Sequence, residues 1–185
     1  TGRRARLGIP VKASDSWSGE FQIQARRLFG DESSTLTDGS ADHLDVHQAY
    51  VEVKHLFDLP LHLKLGRMEV IYGSQRLMGA VGWHNIGRSF DGAVLKIGSS
   101  KSRLDVFGFQ EVEAQELENS GDRLVLGANA LINTIEKHTI QPFIILQREN
   151  PTASLNRFTS GLFFKGKPGN FAYEAEFAFQ GGTLD

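Results

Sequence analysis

Polar and apolar residues alternate along ten short segments that together span most of the chain. The last segment is the clearest, because Tyr173, Phe177 and Phe179 alternate there with Glu174 and Glu176. A period of two residues is typical of a β-strand with one apolar and one polar face. We therefore predict strands at residues 3–9, 20–29, 46–56, 61–67, 89–98, 102–111, 122–132, 137–147, 157–165 and 171–180.

The connections between the predicted strands alternate in length. Short turns rich in Gly, Pro, Asn or Ser lie at residues 58–60, 99–101, 133–136 and 166–170. Longer loops lie at residues 30–45, 68–88, 112–121 and 148–156. Every second connection of an antiparallel barrel falls on the same rim, and bacterial outer-membrane barrels have short periplasmic turns and long outer loops. The pattern predicts an all-β, antiparallel up-and-down transmembrane β-barrel.

A soluble β-sandwich has the same period, with its apolar face turned inward instead of outward. The polar faces favour a barrel, because they hold bulky Gln, Glu, Arg, Lys and His residues in strand after strand, as a water-filled lumen requires. The chain has no Cys, which excludes a disulfide scaffold and a thiolate metal site. Its net charge of -2 excludes a strongly basic nucleic-acid binder.

A series of short motifs lies around the longest loop and in other strands. Around the loop they are Gly66-Arg67, Tyr72-Gly73, Arg76-Leu77, Trp83, Gly87-Arg88 and Ser89-Phe90-Asp91, and in other strands they are His47-Gln48-Ala49-Tyr50, Tyr173-Glu174-Ala175-Glu176 and Gln180-Gly181-Gly182. These motifs resemble the alginate-export family of outer-membrane porins. In that family a strand ends in Gly-Arg, a Tyr-Gly turn follows, and a loop with Arg-Leu, Trp and Gly-Arg leads into a strand that opens with Ser-Phe-Asp.

The resemblance implies a barrel of about 18 strands whose lumen passes a polymer or small solutes. Residues 1–185 hold ten predicted strands, so we expect one β-barrel domain that lacks both N-terminal and C-terminal strands of the whole barrel. The order of turns and loops agrees, because it makes the first strand run toward the periplasm, whereas such barrels normally start with a strand that runs outward. The chain would then hold roughly the second to eleventh strands.

The longest loop, residues 68–88, is expected to fold into the lumen, because it is rich in apolar residues and Glu69 is its only acid. Arg76 and Arg88 in the loop, with Arg67 at its root, would form a positive ring. Arginine is suited to such a ring because it is always charged and binds carboxylates through a bidentate fork. The alternative is that these arginines only form ion pairs, Arg88 with Asp91 and Arg67 with Glu69. We take Asp91 as a pore-lining candidate as well.

A second set of expected lumen residues lies on the strands: Lys64, Arg26 and Gln48, with Gln24 and His62. The alternative is a structural polar network with no role in transport. Two of the long loops are strongly acidic, through Asp31, Glu32, Asp38, Asp42 and Asp45, and through Glu111, Glu113, Glu116, Glu118 and Asp122. They lack the spacing of a calcium loop, which favours a solvated acidic surface.

The chain contains no catalytic motif, so we expect no enzyme, no catalytic residues, no cofactor and no metal site. The expected function is a porin of the bacterial outer membrane, for passive diffusion or export of anionic or polyhydroxylated solutes through a loop-constricted lumen. The expected partners are membrane lipid, lipopolysaccharide and the anionic or sugar-like solute, with a protein partner in the outer membrane as an option and no nucleic acid. The alternatives are a structural barrel that anchors a partner complex and a soluble β-sandwich or lipocalin-like binder.

Overall fold

A computed structural model describes residues 2–28, 43–82, 87–111, 122–150 and 155–184. The strands are β1 (Gly2–Lys12), β2 (Trp17–Leu28), β3 (His43–Val53), β4 (Leu61–Met68), β5 (Phe90–Gly98), β6 (Ser102–Glu111), β7 (Asp122–Ile132), β8 (His138–Asn150), β9 (Leu155–Gly166) and β10 (Tyr173–Leu184). A single 3-10 turn, Leu56–Asp58, precedes β4. Most of the acidic loop residues named above, from Asp31 to Asp42 and from Glu113 to Glu118, lie outside the described residues, as does Trp83.

Each strand pairs antiparallel with the next, so the strand order in the sheet is the order in the chain. The predicted all-β, up-and-down fold is therefore confirmed, and it is consistent with part of a barrel. Within the described ranges β1 and β10 are edge strands, and the sheet is open between them. The third predicted strand extended too far, to residue 56, because His55 adopts a φ of 55° that ends the extended backbone.

Among the described residues, no helix is both long enough and apolar enough to cross a membrane.

The two faces of the sheet differ in chemistry and in exposure. We call the face that contacts residues 69–82 and 87–89 the inner face, and the opposite one the outer face. The outer face carries large apolar side chains in contact with solvent, such as Phe177 and Phe179, each 66% exposed. The inner face holds the core, in which Phe109 is 1% exposed. A soluble sandwich would bury its large apolar residues between two sheets, whereas this sheet presents them outward, as a lipid-facing surface requires.

The core joins the middle of the sheet to the segment that follows β4. Its buried members are Met68, Val70, Met78, Phe90, Val94, Phe107, Phe109, Val125 and Ile145. Aromatic rings on β5 and β6 hold it together, with Phe107 and Phe109 stacked at a centroid distance of 5.2 Å. The core therefore lies between the inner face of β5–β8 and a loop, and not between two layers of regular structure.

Candidate pore loop and inner face

The described parts of the segment between β4 and β5, residues 69–82 and 87–89, lie across the inner face of the sheet, and we call them the inward loop. Val70 and Met78 are buried against the rings of β5 and β6 and the aliphatic residues of β7 and β8. Tyr72 stacks on Phe107 with ring centroids 5.3 Å apart. Apolar residues placed near the start and the middle of this loop thus cover the apolar strip of the inner face.

The tip of the inward loop reaches strands that are distant in sequence. The backbone N–H of Gly73 donates a hydrogen bond to Oε1 of Gln141 on β8 at 3.1 Å. The Ser74 hydroxyl donates to the Glu176 carboxylate on β10. Gly73 has a φ of 55°, a left-handed conformation that glycine adopts without strain, and this turns the chain at the tip. The loop therefore extends from β4 to the far side of the sheet.

The base of the inward loop is held by a polar network on β1–β3. The Glu69 carboxylate accepts a hydrogen bond from Nη1 of Arg6 at 2.8 Å and contacts Nε2 of His47 at 2.7 Å. Nε of Arg6 also donates to Oε1 of Gln24 at 2.7 Å. The Glu69 backbone N–H donates to Oε1 of Gln48 at 3.3 Å. These contacts fix the point where the loop leaves the sheet.

The end of the inward loop returns to the same network. The Ser89 hydroxyl donates to the His47 carbonyl at 2.6 Å, and it lies 3.1 Å from Nδ1 of the His47 ring. The guanidinium of Arg4 donates to the Gly82 carbonyl at 2.9 Å. One histidine thus connects the first and last residues of the loop.

A β-bulge positions His47. The pairing of β2 with β3 shifts between Gln22 and Ile23, so that Gln22 faces Gln48 while Ile23 faces Val46. His47 is the extra residue, and a bulge of this kind redirects a side chain out of strict alternation. As a result His47 and its neighbour Gln48 are both buried, at 5% and 9% exposure.

The loop environment shifts the pKa values of two of its residues. The hydrogen bond from His47 and the contact with Arg6 lower the pKa of the Glu69 carboxyl, although partial burial opposes this. Burial and the nearby Asp105 carboxylate raise the pKa of Tyr72, whose hydroxyl hydrogen-bonds that carboxylate. At neutral pH Glu69 is therefore an anion between two basic groups, and Tyr72 is a neutral donor.

Arg67 and Asp91 lie on the outer face. They face each other in the β4–β5 register and alternate with Gly66 and Phe90, and their neighbour on that face is Leu65. Nε of Arg67 lies 2.8 Å from Oδ1 of Asp91, and Nη2 lies 2.9 Å from Oδ2, a bidentate pair. This differs from the expected positive ring, which included Arg67, and from the alternative pairs, Arg67 with Glu69 and Arg88 with Asp91. Strict alternation along β4 is the reason, because it turns Arg67 away from the loop that follows it.

The other predicted residues are divided between the loop and the strands. Arg76, at the loop tip, and Arg88, at the loop end, are exposed, and the Arg88 backbone N–H donates to the Ala80 carbonyl at 2.8 Å. Lys64 is on the inner face, with Nζ 3.5 Å from the centroid of the Tyr50 ring. Arg26 is placed opposite Arg4 in the β1–β2 register.

Sequence reasoning did not select Arg6, His47 or Glu69 as site residues. Glu69 carried a usable signal, because it is the single acid of an otherwise apolar and basic loop. The contact between Arg6 and Glu69 joins residues 63 positions apart and has no local signature. The bulge that buries His47 has none either. Among the described residues, no group of three or more His, Asp or Glu side chains is arranged to hold a metal ion.

A family model described as alginate export matches residues 1–184, which is nearly the whole chain. No curated protein matches the chain at a significant level.

Proposed function

Because this chain belongs to the alginate-export family of outer-membrane proteins, we propose that it forms part of an export channel for an anionic polysaccharide and that the inward loop crosses this channel. The family is one of transport proteins, and the all-β chain has the architecture of its outer-membrane barrels. The observation that carries the proposal is the position of the loop, which extends over the inner face from β4 to Glu176 on β10.

Basic side chains on either side of the inward loop would guide the polymer. Arg76 and Arg88 are exposed on the loop. Arg4 and Arg6, on the inner face of β1, contact the loop at Gly82 and Glu69. A chain of sugar carboxylates would exchange partners with successive guanidinium groups, because each group forms the same planar, charge-assisted pair. Arg67 and Asp91 are not part of this set, since they pair with each other on the outer face.

Lys64 and the residues around it supply a second, more polar part of the inner face. Lys64 lies over the Tyr50 ring, and the Tyr50 hydroxyl donates to the Glu20 carboxylate at 3.1 Å. Lys96 pairs with Glu52 at 3.2 Å on the neighbouring strands. Alternating acids and bases would let polar hydroxyl groups of a sugar slide past without one deep binding site.

The reversal potential of the full-length protein in a planar bilayer under a salt gradient tests the proposal. Wild-type protein is expected to give an anion-selective current that soluble alginate fragments block. The double variant Arg76→Ser, Arg88→Ser is expected to lose most of this selectivity. Arg67→Ser is the matched control, because it removes an arginine of the outer face and leaves the loop intact. Equal selectivity in all three proteins would overturn the role of the loop arginines.

A second candidate function is a structural barrel that anchors a partner complex, with its pore blocked by the same loop. The observation in its favour is that the loop is bonded to the sheet at its base, its end and its tip. Absence of any current, both in the wild type and in a variant whose loop tip is replaced by a flexible linker, would favour the anchor over the channel.

A further inference from the structure

A register row crosses the outer face and, on β4–β10, lies at the end of the strands that carries the long loops. On these strands it consists of Arg67, Asp91, Gln110, Leu124, Arg148, Asn156 and Thr183. Six of these seven residues are polar or charged, whereas the same row continues on β3, β2 and β1 through the apolar residues Ala49, Phe21 and Ile9. Because long loops mark the outer side of an outer-membrane barrel, this row lies toward the outer leaflet.

The next row of the outer face, one pleat closer to the short turns, is apolar. Its members are Leu65, Ala93, Gly108, Leu126, Leu146, Phe158 and Gly181. The change from a polar row to an apolar row is expected where headgroups give way to acyl chains. On β7–β9 the change from the polar row to the apolar row therefore marks the level of the outer-leaflet headgroups.

A groove of about 390 Å³ lies at this boundary, on β7–β9. Its apolar floor and walls are formed by Leu124, Leu126, Leu146 and Phe158, each between 39% and 48% exposed. Its polar end is lined by Gln147, Arg148, Asn156 and Arg157, and Nε of Arg157 donates to Oε1 of Gln147 at 2.8 Å. A groove of this shape offers contact to one hydrocarbon chain and a cation to the group at the head of that chain.

Arg148 differs from Arg67, the other arginine of the polar row. Arg67 is neutralised by the bidentate pair with Asp91. No ion pair or hydrogen bond joins the Arg148 guanidinium to another side chain in the part of the chain that the structure describes. Its cross-strand neighbours in the row, Leu124 and Asn156, bring no charge. An arginine in this setting is complementary to an external anion, and guanidinium forks fit phosphate.

We propose that the groove binds lipopolysaccharide of the outer leaflet, with an acyl chain along Leu126, Leu146 and Phe158 and a glycolipid phosphate on Arg148. The occupant follows from two features of the site. The groove lies at the outer-leaflet end of the strands, and it combines two arginines, Arg148 and Arg157, with apolar walls, which suits a phosphorylated lipid and not a soluble anion. This site is distinct from the inner face and does not depend on what passes through the channel.

The test uses full-length protein, purified in detergent and freed of lipid, and measures its affinity for two lipids. One is the diphosphorylated lipid A anchor, and the other is the same anchor without phosphates. Wild type is expected to bind the phosphorylated form more tightly. Arg148→Gln is expected to weaken that binding by about tenfold, the effect of losing one charge-assisted contact, and to bind both forms alike. Arg67→Gln is the matched control and is expected to retain the preference.

A second variant separates the groove from the phosphate contact. Leu146→Ala is expected to weaken the binding of both forms of the lipid to a similar extent, because it shortens the apolar wall and leaves Arg148 in place. The folded state of every variant is checked by its thermal unfolding. Equal loss in Arg148→Gln and Arg67→Gln, no preference of the wild type for the phosphorylated lipid, or equal binding of phosphatidylglycerol would each overturn the assignment.

Discussion

The inward loop is held to the sheet in two regions that use different physics. On β5–β8 the contact is apolar, with Val70, Tyr72 and Met78 against a strip of aromatic and aliphatic side chains. On β1–β3 it is polar, with Glu69 between Arg6 and His47. Apolar contact scales with buried area and is insensitive to pH, whereas the polar contact depends on charge and on geometry.

This difference indicates how the loop is divided. The polar base fixes where the loop leaves and rejoins the sheet, because Glu69 and Ser89 both contact His47. The apolar half packs on the apolar strip of β5–β8 and keeps the loop across the inner face. We therefore expect changes in the two regions to have different effects. Changes in the apolar half should alter how far the loop opens, and changes in the polar base should alter the pH dependence of that opening.

Removing the apolar half should have the largest effect. We expect replacement of residues 70–81 by a Gly-Ser linker of equal length to raise the single-channel conductance several-fold, because a flexible linker does not stay on the apolar strip. Planar-bilayer recordings of the full-length protein measure this. The point variant Arg76→Ser is the control, since it keeps the apolar residues and should leave the conductance near that of the wild type. An unchanged conductance after replacement would show that the loop does not obstruct the channel.

A single apolar truncation should weaken the same region by a smaller amount. Met78→Ala removes a side chain that is 5% exposed, and truncation of a buried methionine costs about 2–5 kcal/mol. Hydrogen exchange of the loop amides should therefore speed up, while that of strands β1–β3 changes little. The control is Leu77→Ala, because Leu77 is 36% exposed and its truncation should cost much less free energy. Equal effects at the two positions would contradict the apolar attachment.

The polar base should respond to Glu69→Gln, which keeps the shape of the side chain and removes its charge. Loss of a charge-assisted hydrogen bond costs about 1.5–3 kcal/mol. The pKa of Glu69 is lowered in the folded protein, so its contribution is present above the unfolded pKa of about 4.3 and disappears as pH falls through the lower folded value. The protection of the loop amides against exchange, taken relative to the intrinsic rate at each pH, should therefore decrease in the wild type as pH falls below about 4.3.

In Glu69→Gln this protection should already be lower at neutral pH and should no longer depend on acid. Glu136→Gln is the control, because Glu136 lies in an exposed turn between β7 and β8. An acid-dependent loss of protection that persists in Glu69→Gln would assign the pH response to another group.

The strands could be predicted from the sequence, and the network at the loop base could not. Alternation is a local property, so the apolar and polar faces of a segment such as Tyr173 to Gln180 can be identified without knowing which strands lie beside it. The number of strands in the sheet and their antiparallel order could be predicted from the alternation of short and long connections between them. The apolar composition of the inward loop also agrees with its packing on the inner face.

The face of each arginine required the register. Arg67 is adjacent to the inward loop in sequence, yet alternation from Met68 places it on the outer face with Asp91. Arg6, which lies 63 positions before Glu69, reaches the loop because β1 to β4 are neighbours in the sheet. Contacts of this kind depend on the three-dimensional order of strands and on one bulge, which no local pattern encodes.

Tyr72 makes both an apolar and a polar contact with the sheet, and its substitution should have the smallest effect of those considered. Tyr72→Phe keeps the ring that stacks on Phe107 and removes the hydroxyl that bonds Asp105. We expect a cost of about 1 kcal/mol in loop attachment, the usual value for one hydrogen bond, measured by hydrogen exchange of the loop amides. In combination with Glu69→Gln, the two losses should add to within about 0.5 kcal/mol, because the groups share no partner. A larger coupling would mean that the polar base and the apolar half release together, as one unit.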